Sequence, residues 1–117
     1  MGAEDINAKL IEAARYGSDG GLKFFLKRGA PVGCVDENGW TPLHWAAFKP
    51  SMDCLAILLA AEADPNVRNL DGESPLHVAA KLGHIEAQRA LIKAGADMKL
   101  PNKAGLTPVE LAKARQS

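Results

Sequence analysis

A 33-residue period constrains this chain more than any other feature. The stretch GWTPLHWAA at 39–47 returns as GESPLHVAA at 72–80 and, more loosely, as GLTPVELAK at 105–113. Its glycines are Gly39, Gly72 and Gly105 and its prolines Pro42, Pro75 and Pro108, each one step of 33 residues from the last. Self-similarity at a fixed spacing of this size specifies a stack of like units, each burying its apolar side against its neighbours.

The unit from Asp36 to Arg68 shows what one period builds. Asp36, Asn38 and Gly39 are the residue types of a tight turn, and Gly39 is placed to take a positive φ that a Cβ would resist. Thr41 stands where a helix N-cap belongs, with Pro42 at the first helical position, where its missing N–H costs nothing. Leu43, Ala46 and Ala47 share one helix face, and the alanines let a neighbouring helix come close. Lys49-Pro50-Ser51 breaks this helix, and Ser51 caps a second one with Leu55, Leu58 and Leu59 on its buried side. The sequence EADPN at 62–66 ends that helix and leads through a loop to the next turn.

The scheme repeats from residue 69. Ser74 and Pro75 open its first helix, with Leu76, Ala79 and Ala80 facing inward. Residues 83–97 supply the second, and Gly95 is placed as its C-terminal cap. One period earlier, Leu10, Ala13 and Ala14 fall on Leu43, Ala46 and Ala47, and Phe25 and Leu26 fall on Leu58 and Leu59. The unit boundaries expected within a single 117-residue domain are therefore 3–35, 36–68, 69–101 and 102–117. The first unit lacks the Thr-Pro opening and reads as a modified end unit. The last holds one helix, over 107–116; either this is a minimal cap or the chain is cut from something longer.

The stretches TPLHWAA, SPLHVAAKLGHIEAQRALIKAGAD and GLTPVELA resemble ankyrin repeats, and the likeness covers nearly the whole chain. The resemblance implies an all-α solenoid of stacked helix–turn–helix units with projecting β-turn or hairpin loops. It makes Thr41, Pro42, Leu43 and His44 a structural motif, repeated as Ser74, Pro75, Leu76 and His77 and begun again at Thr107 and Pro108. In such repeats the histidine ties the turn and the adjacent repeat by hydrogen bonds. Two departures stand out. Glu62 occupies the place that Gly29 and Gly95 fill, which predicts a strained or altered helix end, and Pro50-Ser51 replaces the pair Gly83-His84.

Chemistry finds little support. His44 and His77 belong to the motif, and His84 is expected to begin a helix. Cys34 and Cys54 are too few for a disulfide framework or a zinc site, and neither pairs with a histidine and an orienting third group as a nucleophile needs. Gly20-Gly21 reads as a turn between helices, not a phosphate-cradling loop. The expectation is a protein without catalytic activity, cofactor, metal or small-molecule substrate. Fourteen basic residues balance fourteen acidic ones, which argues against nucleic acid or an anionic membrane as partner. The longest apolar run, CLAILLAA at 54–61, is too short to cross a bilayer. An acidic N-terminal stretch does not match a secretory signal, and Ile6 stands where a myristoylation signal needs Ser or Thr. These features predict an intracellular protein, cytoplasmic or nuclear.

The resemblance instead implies a concave binding face built from the turns and the outward side of each first helix. Carried over by the period, the turn positions are Glu37, Asn38, Trp40, Leu70, Asp71, Glu73, Lys103, Ala104 and Leu106. The helix positions are Arg15, Tyr16, Phe48, Lys49, Lys81 and Leu82, with Ala114 and Arg115 beyond them. Large apolar groups are frequent among these, as at a site that binds another protein. Trp40 can equally fold over its own turn, and Phe48 can fill the gap opened at Lys49-Pro50. Trp45, standing where Val78 and Leu111 do, reads as core. Basic helices beside acidic turns are a further feature of the face. The function expected is a monomeric, stoichiometric regulator or inhibitor of a partner protein. The alternative is an adaptor, possibly part of a longer ankyrin-repeat protein, with an enzyme as a remote third. The incomplete last unit is expected to fray first on heating, or to be mobile until bound.

Overall fold

Each principal helix starts at a side chain that closes on its own backbone. In the computed structural model, which describes residues 3–49 and 51–116, Thr41 Oγ1 accepts from the backbone N–H of His44 at 3.2 Å while the Thr41 N–H donates to His44 Nδ1 at 3.1 Å. Ser74 and His77 make the same reciprocal pair at 3.3 and 3.1 Å. At the third recurrence Glu110 takes the histidine's part: its Oε1 accepts from the Thr107 N–H at 2.9 Å, and Thr107 Oγ1 accepts from the Glu110 N–H at 3.3 Å. Two otherwise orphaned donors are satisfied each time.

Seven helices follow among the described residues, and no strand: α1 (Ala3–Arg15), α2 (Asp19–Lys27), α3 (Pro42–Phe48), α4 (Met52–Ala60), α5 (Pro75–Leu82), α6 (Ile85–Lys93) and α7 (Pro108–Gln116). Helices α1, α3, α5 and α7 pack side by side in one row, and α2, α4 and α6 form a second row behind them. The body is elongated along the stack, 45 × 24 × 22 Å. Ser18 and Ser51 cap α2 and α4, whereas His84 precedes α6 without a side-chain cap bond. Gly20 and Gly21 are not a turn: both lie in the first turn of α2. The compact residue is needed there because a Cβ on Gly21 would lie 2.8 Å from the capping Oγ of Ser18. Pro50 and the side chain of Arg115 lie outside the described residues.

The alanines do what their size allows. Ala14, Ala46, Ala47, Ala79 and Ala80 are buried between the helices of the first row, beside Leu10, Leu43 and Leu76. Leu22, Leu55, Leu58, Ala87 and Leu91 close the second row, with Phe25, Leu26 and Leu59 partly buried against them. Burying each of these leucines contributes about 1.5–3 kcal/mol.

Polar ties then fix neighbouring turns and helices. Because Nδ1 of His44 accepts a backbone N–H, its proton sits on Nε2, which donates to the carbonyl of Glu73 at 2.8 Å. His77 reaches the carbonyl of Leu106 in the same way at 3.0 Å. The turn tips join through Leu70 N–H to Asn38 O and Lys103 N–H to Asp71 O, at 3.1 and 3.0 Å. Gly39, at φ +77, passes so close to the next turn that a Cβ would lie 2.9 Å from the nitrogen of Leu70. Among the described residues other than glycine, Glu62 alone has positive φ (67°), just beyond α4, where Gly29 and Gly95 hold the same conformation elsewhere.

Two predictions follow from this packing. Glu62→Gly relieves a left-handed conformation that costs about 1–2 kcal/mol and adds the entropic penalty of glycine, so unfolding free energy rises by about 0.5–1 kcal/mol in urea titration. Burial is the main cause that pushes both His44 and His77 below the ordinary imidazole value, with their carbonyl bonds opposing it. The folded state thus refuses protons that the unfolded chain accepts near pH ~6.5. Stability is fully present above that pH and falls as pH drops below it. Urea midpoints that stay level from neutral pH down to about pH 5 would contradict this linkage.

Candidate functional site

Three aromatic side chains from one period meet at the edge of α3. Trp40 leaves the turn just before the helix and Trp45 and Phe48 project from it. Trp40 lies 4.7 Å from Trp45 and 5.6 Å from Phe48 between ring centroids, and Trp45 and Phe48 are 5.6 Å apart, edge to face. Offset and edge-to-face contacts are the favoured arrangements of such rings. From α1, the Arg15 guanidinium sits 4.9 Å over the Trp45 ring and 5.7 Å over that of Tyr16.

Trp45 packs against the core, as expected, but is not enclosed by it. Val78, one period on, is fully buried, but an indole is too large for that space and carries an N–H that must be satisfied. Trp45 stays half-buried, and its Nε1–H donates to Asp36 Oδ2 at 3.1 Å. The other oxygen of Asp36 accepts the N–H groups of Asn38 and Trp40 at 2.9 and 3.0 Å, which holds the turn against the ring. Trp40 is also half-buried, so it both covers its own turn and keeps an edge in solvent. Phe48 is 40% exposed and Tyr16 65%.

Beside this corner runs a groove of about 720 Å³ between α1 and the turn at 35–38. Arg15, Tyr16, Glu37 and Asn38 line it, as do residues outside the expected binding face: Glu12, Val35 and Asp36 among them. The helical period would have found Glu12 and Ala8, one and two turns ahead of Tyr16 on the same face. Lys49 is exposed at the end of α3, and Leu70 and Asp71 are exposed at the next turn tip.

Of the remaining expected positions, Glu73, Leu82 and Leu106 are drawn into the stack, while Lys81 stays exposed with its ammonium held by Glu73. Glu73 is only 7% exposed. Its Oε1 accepts from Lys81 Nζ at 3.0 Å and its Oε2 from Asn102 Nδ2 at 3.3 Å, so both its carboxylate and the Lys81 ammonium are engaged. Leu82 is packed against the core rather than presented outward, and Leu106 is partly buried with its carbonyl held by His77. The exposed aromatic surface of this face thus gathers around α1 and α3. Both cysteine thiols are pushed up chiefly by burial, away from reactive thiolate character. No cluster of metal-ligating side chains occurs among the described residues.

A family model described as ankyrin repeats (3 copies) matches residues 10–112. The chain is 55% identical over 40 residues to Protein VAPYRIN-LIKE of Medicago truncatula, covering 34% of this chain and 9% of that protein. It is 41% identical over 54 residues to Ankyrin repeat and SOCS box protein 3 of Homo sapiens, covering 46% and 10% respectively. Oxysterol-binding protein-related protein 1 of Homo sapiens is 44% identical over 62 residues, 51% of this chain and 6% of that protein. The matched stretches span a tenth or less of these relatives.

The Asp36 contact yields a specific expectation. Asp36→Asn keeps the oxygen that holds the turn, as Asn69 and Asn102 do in the next two turns, but sets an amide N–H₂ against the indole N–H. Leaving that donor unpaired costs about 1–3 kcal/mol. The variant should remain folded, lose stability by that amount and shift tryptophan emission to longer wavelength; an unchanged spectrum and stability would contradict the assignment.

Proposed function

The chain belongs to the ankyrin-repeat family, and from that premise we propose that it binds a partner protein through the α1–α3 end of its concave face. Ankyrin repeats generally mediate protein–protein interaction, and repeat domains of this kind are typically non-catalytic. The observation that carries the reading is the corner where exposed Phe48 and Tyr16 flank half-buried Trp40 and Trp45, beside an open groove. Such groups supply most of the energy where a protein buries them in a partner.

The finer role we infer is that of an intracellular, monomeric, stoichiometric regulator that masks the surface it covers. The aromatic groups are concentrated at one corner, which suits one partner at a time. The adaptor reading draws on a different residue. Phe24, in the second helix row, is 50% exposed with the Arg28 guanidinium 4.3 Å over its ring, and could serve a second partner. No helix among the described residues is long and apolar enough to cross a membrane.

Affinity capture from source-cell lysate, comparing the intact chain with a Tyr16→Ala, Phe48→Ala variant, tests the surface. Both residues are exposed, so circular dichroism should be unchanged. Each buried aromatic anchor is worth about 2 kcal/mol or more, so the variant should lose a captured protein by well over tenfold. Equal retention by both forms would place the binding surface elsewhere. Assaying the captured protein's own activity with and without the chain then separates regulator from adaptor.

A further inference from the structure

The guanidinium of Arg15 shows what chemistry the aromatic corner accepts. It lies over the face of Trp45, which carries the negative end of the ring quadrupole and attracts cations. The indole N–H of Trp45 donates to the Asp36 carboxylate, and a hydrogen bond to an anion raises the electron density of the ring and so its hold on a cation. Arg15 also lines the adjoining groove, where Glu12 and Glu37 stand with Lys9, while both oxygens of Asp36 are taken up by its own turn and by Trp45. Neither Glu12 nor Glu37 is held in an ion pair among the described residues. The groove is too large for one side chain and suits an extended segment.

Building on the concave-face reading, we propose that this corner receives an arginine side chain from an extended segment of the partner, which takes over the place of Arg15 on Trp45. Arg15 is then an internal occupant. It covers the ring in the free protein and swings toward solvent and the Glu12 side of the groove when the partner's guanidinium stacks. Phe48 and Tyr16 flank the incoming stem, and Glu37 compensates its charge. The preference is for a planar guanidinium over an ammonium, because a guanidinium can stack on an indole while its N–H groups reach a carboxylate.

The chain offers its own probe, since Trp40 and Trp45 are its only two tryptophans and both stand in the corner. The peptide acetyl-Gly-Arg-Gly-Arg-Gly-amide should change tryptophan emission saturably. Its citrulline counterpart, of the same shape without charge, should not. Arg15→Ala removes the competitor and should tighten binding of the arginine peptide about two- to fivefold. Arg15→Gln, which keeps most of the side-chain stem, should tighten it in the same direction and guards against a packing effect. The proposal is overturned if the citrulline peptide binds as well, if both Arg15 variants weaken binding, or if a Gly-Glu-Gly-Glu-Gly peptide is preferred. Preference for the glutamate peptide would make Arg15 a ligand for an acidic partner, and weakening in both variants would make it a structural support of the ring. A captured protein that depends on Tyr16 and Phe48 but is not displaced by the arginine peptide would sink this inference and leave protein binding through the corner intact.

Discussion

Two buried imidazoles, His44 and His77, tie the central units of the stack to the turns that follow them. His44 uses one nitrogen to close the start of its own helix and the other to hold the carbonyl of Glu73, 29 residues away. His77 does the same toward Leu106. Local capping and the tie between neighbours therefore share a single side chain, and neither can be lost alone. In a repeat stack stability comes from nearest-neighbour interfaces, so a group that sets the helix start and the interface together also sets the register of the turns. The final period has Glu110 in this position, where its carboxylate caps its own helix through Thr107.

Comparison of positions one period apart explains where the surface chemistry comes from. Trp40, Trp45 and Phe48 correspond to Glu73, Val78 and Lys81. In the later set, valine closes the core and the two charged groups pair across it at 3.0 Å, leaving a sealed surface. In the earlier set, three large rings cannot all enter the same volume and pack on one another at the edge. The turn residue follows suit. Asp36 accepts from the indole, Asn102 donates to Glu73, and Asn69 leaves its buried Nδ2 without a hydrogen-bond partner. The same backbone frame thus carries a closed solution and an open one.

The frame was legible in the sequence because its determinants are local. Thr41-Pro42, Ser74-Pro75 and Ser51 announce helix starts by chemistry that acts within four residues, and the i, i+3, i+4 pattern of Leu43, Ala46 and Ala47 marks the buried side. Glu62 in place of glycine gave away its positive φ. What escaped depends on side chains from different elements. Nothing near Glu73 in sequence says that Lys81 and Asn102 will enclose it, and nothing near Trp45 says that Asp36 will take its N–H and Arg15 its face. The size mismatch between Trp45 and Val78 was visible, but which way the larger ring turns is decided by packing. Gly20-Gly21 misled for another reason: glycine usually marks a turn, while here both lie inside a helix and crowding around the Ser18 cap favours glycine at position 21.

We propose that the repeat stack offers one aromatic corner to a protein partner. Hydrogen–deuterium exchange of the chain, alone and with its captured partner, would locate the contact. Binding at the corner gives new protection concentrated in the α1 end around Arg15 and Tyr16 and in the segment from Glu37 to Lys49. Protection confined to α2, α4 and α6 would place the partner on the opposite side of the stack and contradict it.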